Sequence, residues 1–313
     1  MAMTEIVLKA RNLTKKYGSL TAVSSLNLEV FRGEVFGFLG PNGAGKTTSI
    51  LMMCGLLKPG GGEVYINGEK LDSRSRMQRR VGICPQQIVL WNSLTCLEQL
   101  EFIGEMYDIP TKTARERATL LLDIMGLTEK RDCQAKTLSG GMQRRLNLIM
   151  GLVHDPNILV LDEPEAGLDP QSRVLVRDFI RSQARQKTVI LTTHNMDEAD
   201  RVVDRLAIID QGKLLAVDTP SALKATLGEG DVLEFSVTET CSIHAVQESL
   251  KKQVAEVSVS GNVITLRGHG LVDLLPMVLA TLEGLGCKAG DVHLRQNTLE
   301  DVFLALTGRR LRE

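Results

Sequence analysis

A chain of 313 residues with 37 basic and 38 acidic side chains and 43% apolar residues has the length for one large domain or two ordinary ones and a globular composition. A net charge of −1 excludes a global field that would draw in nucleic acid or an anionic membrane surface, and no apolar run approaches the length of a membrane span. The six cysteines, Cys54, Cys84, Cys96, Cys133, Cys241 and Cys287, form no C-x-x-C pair and no metal-ligand spacing, so reduced, mostly buried thiols in a cytosolic setting are expected.

The start, Met1-Ala2-Met3-Thr4-Glu5, carries no basic segment followed by an apolar core, so no export signal is expected there. Alternation of apolar and polar residues predicts strands over Ile6 to Tyr17 and Leu26 to Arg32, with Lys15-Lys16-Tyr17-Gly18 as the turn of an antiparallel subdomain. The apolar Glu34 to Leu39 reads as a strand that runs into Gly40-Pro41-Asn42-Gly43-Ala44-Gly45-Lys46-Thr47-Thr48, and Thr48 to Leu57 can form a helix. Gly60-Gly61-Gly62 is a turn before a strand ending at Asn67-Gly68, and Arg74, Arg76, Arg79 and Arg80 read as a solvated helix face. A short strand from Arg80 stops at Pro85, next to Gln86 and Gln87.

From Ser93 to about Met125 the spacing becomes helical, with Leu94, Leu97, Leu100, Phe102 and Ile103, then Ala118, Leu121, Leu122 and Met125, as the expected buried faces. This helical insertion closes at Leu138-Ser139-Gly140-Gly141, where Ser139 can cap a helix over Met142 to Val153. The continuous run Asn157 to Leu161 predicts a strand covered on both faces, with Asp162 and Glu163 at its carboxyl end, where open α/β sheets bind ligands. A helix from Pro170 to Ala184, a strand from Thr188 to Thr193, a helix from Met196 to Val202, strands at Arg205 to Asp210 and Lys213 to Val217, and a helix from Pro220 to Leu227 follow. After Gly228-Glu229-Gly230, read as a hinge, the order is β-α-β-β-α-β with one added terminal helix, a ferredoxin-like arrangement.

Gly40 to Thr48 fits G-x-x-x-x-G-K-[ST] with a strand before it and a helix after it. In such a loop, glycines let successive amides of Asn42, Gly43, Ala44 and Gly45 surround a polyphosphate, Lys46 reaches the outer phosphates, and Thr47 holds Mg²⁺ through its hydroxyl, with Thr48 beside it. Asp162 supplies the second carboxylate-bearing strand, as a Mg²⁺ ligand direct or through water, and Glu163, diverging from it, suits a general base for an attacking water. Leu138-Ser139-Gly140-Gly141 offers a second set of free amides at a helix start.

In this combination and order the chain, over about residues 4 to 225, resembles the ATP-binding subunit of an ABC transporter. The resemblance implies an α/β P-loop NTPase domain at 4–227, made of a mixed-sheet core, an antiparallel β-subdomain and a helical subdomain at about 87–155, with a small accessory or regulatory α+β domain at 231–313. It implies ATP hydrolysis with Mg²⁺, with Tyr17 stacked on adenine, Val23 as an apolar contact nearby, Gln86 touching both Mg²⁺ and the attacking water, and His194 beside the γ-phosphate. It also implies a head-to-tail homodimer, in which Ser139, Gly140 and Gly141 contact the nucleotide held by the opposite chain and Asp169 crosses the interface. Two positions depart from the common pattern, Met142 where Gln is frequent and Glu165 where Ser or Thr is usual.

The ending Asn297-Thr298-Leu299-Glu300-Asp301-Val302-Phe303-Leu304-Ala305-Leu306-Thr307-Gly308-Arg309 resembles that of ATPases serving ABC-2 exporters of the daunorubicin-resistance type. A separate membrane permease is then the expected partner, contacted by about Gln87 to Tyr107, with the chain held at the inner face of the cell membrane and no nucleic-acid role. The alternatives are a soluble ABC-type ATPase without a transport role, which paired cassettes, a coiled-coil insertion or a cysteine cluster would favour, and a P-loop kinase, against which the signature segment argues.

Overall fold

A computed structural model describes residues 5–71, 80–184, 186–227, 231–237, 243–251 and 256–308. Arg74, Arg76, Arg79, Cys241 and the expected hinge Gly228-Glu229-Gly230 lie outside them. The chain divides into two compact units, one reaching to Pro220 and the other beginning at Ser221, several residues before the hinge read from sequence.

In the first unit, strands β1 (Ile6–Tyr17) and β2 (Leu20–Phe31) pair antiparallel down to Tyr17 opposite Leu20. The turn is therefore Gly18-Ser19, and Lys15 to Tyr17 belong to the ladder. Gly18, at φ 58°, takes the left-handed conformation that a two-residue hairpin turn requires. Strand β3 (Val35–Leu39) is buried throughout and leads into helix α1 (Lys46–Met53), while β4 (Gly61–Ile66) and β5 (Glu69–Lys70) extend the first sheet in the order β2-β1-β4-β5.

The second sheet adds β6 (Val81–Cys84), β7 (Ile158–Asp162), β8 (Thr188–Thr193), β9 (Arg205–Asp210) and β10 (Lys213–Asp218), in the order β10-β9-β3-β8-β7-β6. All its pairs are parallel except β9 with β10. Register explains how distant motifs meet: Leu39 lies opposite Thr193, Asp162 opposite Thr192, and Cys84 opposite Leu161. The residues that follow these strand ends, Gly40, His194, Glu163 and Gln86, therefore emerge along one edge of the sheet.

Helices α2 (Cys96–Met106), α3 (Thr111–Ile124) and α4 (Gly140–Met150) form the insertion. Thr95 and Glu98 make a reciprocal cap at the start of α2, satisfying two amides that the helix itself cannot bond. Leu97, Leu100, Ala118, Leu122 and Met125 are buried as their spacing predicts. Phe102 is not: it is 41% exposed and meets Trp91 edge to face at 5.1 Å. Helices α5 (Pro170–Ala184) and α6 (Met196–Val202) flank the sheet strands.

The second unit takes in helix α7 (Pro220–Ala225) from Ser221 onward, then β11 (Asp231–Val237), α8 (Ile243–Lys251), β12 (Glu256–Ser260), β13 (Val263–Gly268), α9 (Leu271–Gly284), β14 (Ala289–Gln296) and α10 (Leu299–Thr307). Its antiparallel sheet runs β12-β13-β11-β14, the strand order of a ferredoxin-like fold. Leu233 and Phe235 of β11 pack with Val246, Leu250, Val278 and Leu282 of the two long helices to form its core. Cys54, Cys84, Cys96 and Cys133 are free, as expected, whereas Cys287 is disulfide-bonded, a correction to the reading of it as a reduced thiol.

Candidate nucleotide site

The loop between β3 and α1 is built on two positions where no larger residue fits. A Cβ on Gly40 would lie 2.1 Å from the Ile209 carbonyl oxygen, and one on Gly45, which sits at φ 99°, would lie 2.4 Å from that of Ala22. The loop therefore presses against both neighbouring strands, and the first amides of α1, which carry no side-chain cap, point outward from the sheet edge. Asn42 to Thr48 line a cleft of 540 Å³ together with Tyr17, Leu20, Ala22, Gln86 and Glu163. Tyr17 is half exposed at its rim; Val23 is only 2% exposed and packs behind the loop, so the apolar wall next to Tyr17 is made by Leu20 and Ala22.

The Lys46 ammonium is buried and donates to the carbonyls of Gly40 at 2.7 Å and Pro41 at 3.1 Å. Burial lowers its pKa, and the charges of Glu163 and Asp162 oppose that shift. Thr47 Oγ1 donates to Asp162 Oδ2 at 3.0 Å, and the Thr192 hydroxyl donates to the same carboxylate. A hydroxyl and a carboxylate in contact form the hard-oxygen pair that suits Mg²⁺. Among the described residues no group of three or more His, Cys, Asp or Glu could cage a metal, so a cation held by this pair would need further oxygens from phosphate and water.

Glu163 has φ 50°, a left-handed conformation uncommon for a residue with a side chain, and its amide is held by the Thr192 carbonyl at 3.1 Å and hydroxyl at 3.0 Å. This turn sends its carboxylate away from that of Asp162. Gln86 Nε2 donates to Glu163 Oε2 at 3.0 Å, and His194 Nδ1 contacts Oε1 at 2.9 Å. An ionised carboxylate only accepts, so in that state Nδ1 carries the proton of this contact. Three segments far apart in sequence thus converge on one carboxylate.

Ser139, Gly140, Gly141 and Asp169 line none of the cleft. Ser139 Oγ accepts the Met142 amide at 3.3 Å and caps α4, and a Cβ on Gly141 would lie 3.5 Å from Asp169 Oδ2. The signature segment and Asp169 are therefore neighbours, on a surface separate from the phosphate loop of the same chain.

Residues 23–166 match the ABC transporter family. The chain is 37% identical to the Nod factor export ATP-binding protein I of Ralstonia nicotianae, over 98% of this chain and 95% of that one. It is 35% identical to the linearmycin resistance ATP-binding protein of Bacillus subtilis, over 98% and 100%, and 37% identical to a daunorubicin resistance ATP-binding protein of Streptomyces coeruleorubidus, over 98% and 97%. The chain belongs to the ABC transporter ATP-binding subunits. Its fold is similar to an ATP-binding subunit of an ABC transporter, at TM-score 0.65 and 26% identity over 71% of this chain and 93% of that one. It is similar too, at 0.63 and 28% over 68% and 98%, to a dimeric ATP-binding cassette in a post-hydrolysis state bound to ADP and Pi.

In this ABC ATPase two supporting residues went unread in the sequence. Arg144, buried in α4, donates to five carbonyls: Pro85 at 3.0 Å, Gln86 at 2.6 Å, Asp162 at 2.8 Å, Glu163 at 2.5 Å and Pro164 at 3.4 Å. One guanidinium thereby ties the segment of Gln86 to that of Glu163. A charged residue on the helix face that also carries Asn147 and Leu148, both buried, is the signal that could have found it.

Glu198 is buried at the start of α6, where Thr193 Oγ1 donates to its Oε2 at 2.5 Å; its Oε1 has no hydrogen-bond partner among the described residues. Burial, reinforced by the charges of Glu165 and Glu163, pushes its pKa up to about 8. Glu165, the departure from the common pattern, is buried and bidentate with Arg177 at 3.2 and 2.9 Å. Arg177 accounts for the tolerance of that acid.

Proposed function

We propose that this ABC ATPase is the motor of an exporter of the ABC-2 kind, working as a head-to-tail homodimer on a separate membrane permease. The observation that carries the dimer is the split of the motifs: phosphate loop, Asp162, Glu163, Gln86 and His194 meet at one sheet edge, while Ser139, Gly140 and Gly141 face elsewhere beside Asp169. A second copy supplies those free helix-start amides to the γ-phosphate, and Asp169 crosses between the two sites. Tyr17 stacks on the adenine, and Lys46 turns from its loop carbonyls to the outer phosphates.

Thr47, Asp162 and Gln86 would hold Mg²⁺, which would supply positive charge against the phosphates. Glu163 takes the proton of the attacking water as its oxygen bonds to the γ-phosphorus, and the bond to ADP breaks with its electron pair leaving on ADP. His194 and Gln86 keep the Glu163 carboxylate aimed, each holding one of its oxygens. Glu163→Gln is expected to bind ATP, form an ATP-dependent dimer and lose turnover by at least about a hundredfold. Normal steady-state turnover in that variant would remove Glu163 from the role.

Support for the permease comes from a groove of 390 Å³ to which Val89, Trp91, Ile103 and Tyr107, of the segment expected to make that contact, contribute beside Leu56 and Met150. Leu56, Ile88, Val89, Trp91, Phe102 and Met106 are each at least 39% exposed, an apolar cluster of the kind that marks an interaction site. No helix among the described residues is long and apolar enough to cross a membrane; in this reading the permease holds the chain at the inner face. Relatives named for Nod factor, linearmycin and daunorubicin match this chain to a similar degree, which fits a cargo chosen by the partner. Co-purification with the permease from membranes tests the pairing; an ATPase that stays in the soluble fraction beside it would count against export.

A further inference from the structure

In the second unit the apolar layer of the sheet is left partly exposed at its β14 end, although α9 reaches that strand too. Among the described residues strand β14 is bonded only to β11 and forms one end of the sheet. Its Leu294 lies opposite Leu233, and its Val292 opposite Phe235. Leu233 and Phe235 are core residues at 1% exposure each, whereas Leu294 is 47% and Val292 38% exposed. The two faces of the strand differ, because Asp291, His293 and Arg295 alternate with them.

A free edge of this kind is a template for another strand, and soluble proteins protect such edges with Lys, Pro, short length or a bulge. The eight residues Ala289-Gly290-Asp291-Val292-His293-Leu294-Arg295-Gln296 contain neither Lys nor Pro. The one irregularity in the pairing with β11 falls between Phe235 and Val237, near Ala289, and leaves Val292 to Gln296 in an unbroken ladder. Strand β12 at the other end of the sheet has five residues and is packed by α8.

We propose that β14 pairs antiparallel with β14 of a second copy, about a two-fold axis at His293, so that the two four-stranded sheets become one. The strand is self-complementary in that register. Val292 faces Leu294 of the second copy, Asp291 faces Arg295, and each apolar residue covers the exposed edge of the other core. Moving the axis by one residue puts Gly290 opposite Leu294 or His293 opposite Arg295, and the match is lost. An arbitrary partner strand would not call for this internal symmetry, which argues for a second copy.

Arg295 is already steadied by Asp301 and Glu234, so its cross-axis contact with Asp291 fixes register more than affinity. A single strand pair is a weak contact by itself. It matters because it keeps two chains together between turnovers and so raises the effective concentration for re-forming the nucleotide-bridged dimer. The contact does not depend on nucleotide and is therefore separable from that dimer.

Oxidative cross-linking of the full-length protein without nucleotide tests it. Opposed residues of an antiparallel pair have Cα atoms about 4.5–5.5 Å apart, within disulfide reach. His293→Cys is expected to cross-link at least about tenfold faster than Glu248→Cys, an exposed position on α8, because its effective concentration is higher. Mixed, differently tagged Val292→Cys and Leu294→Cys chains should join to each other faster than either joins to itself. Adding Val292→Lys and Leu294→Lys to His293→Cys should abolish its cross-link, with an unchanged far-ultraviolet circular dichroism spectrum and unfolding transition showing that both units keep their fold.

Equal rates at positions 293 and 248 overturn the proposal. So does a position-293 cross-link that forms only to an added permease. The ATP-dependent dimer of Glu163→Gln is read in a separate assay, so loss of either contact is distinguishable from loss of the other.

Discussion

At the scale of single residues, two buried side chains that line none of the cleft, Arg144 and Glu198, carry the first predictions. Arg144 holds carbonyls from two separate segments, and Lys, with one ammonium in place of a planar fork, cannot reach them all. Each buried carbonyl left without a donor costs about 1–3 kcal/mol, so Arg144→Lys is expected to lose roughly 3 kcal/mol of stability. Turnover should fall about tenfold with ATP affinity nearly unchanged, since Glu163 and Gln86 shift while the phosphate loop does not; equilibrium unfolding and a split of kcat from KM measure the two effects.

Glu198 gives a pH prediction whose sign follows from its burial. Its carboxyl keeps its proton in the folded chain up to about 8, while in the unfolded chain it ionises near 4.5. Between those values the unfolded state is favoured progressively as pH rises, so this group lowers stability across that window and adds no further slope above it. Glu198→Gln keeps an acceptor for Thr193 and removes the ionisation. Its stability relative to the parent should therefore be greater at pH 8 than at pH 5, and parallel denaturation curves at the two pH values would exclude the effect.

At the scale of elements, the phosphate loop and the groove can be perturbed apart. Gly45→Ala places a Cβ 2.4 Å from a backbone oxygen at a φ of 99°, so nucleotide binding should be lost by equilibrium titration. Trp91→Ala with Phe102→Ala removes an exposed aromatic pair well clear of the cleft. The isolated chain should keep its ATPase rate within about twofold, surface changes being mild in general, while co-purification with the permease falls.

Elements were read from sequence with uneven success, for physical reasons. The buried runs of β3, β7 and β8 stood out because a strand covered on both faces needs continuous apolar residues. Lys15 to Tyr17 looked like a turn because charge and a glycine cluster there, yet pairing with β2 carries them into the ladder. Phe102 fits a buried helical stripe, but it meets Trp91 at the surface and stays 41% exposed.

At the scale of the whole molecule, one chain carries one phosphate loop and one signature on different surfaces, so in the proposed head-to-tail dimer the chemistry is a property of two chains. Analytical ultracentrifugation of Glu163→Gln should give a dimer with ATP that Ser139→Arg abolishes, because a bulky cation at the cap removes the free amides from the γ-phosphate. A dimer that survives Ser139→Arg would place the signature outside the interface.

The sequence by itself determined the candidate reactive groups of this protein. Gly40 to Thr48, Asp162-Glu163, Ser139 to Gly141 and His194 are local strings whose spacing sets backbone conformation and donor chemistry, and these are short-range properties. Only the tertiary structure decided which groups act together. Parallel register brings Gln86 and His194 to the two oxygens of Glu163, burial turns Arg144 into a clasp and Glu198 into a neutral acid, and Val23 passes from the cleft to the wall behind it. Those outcomes depend on contacts between residues distant in the chain, and spacing along it does not encode them in any local pattern.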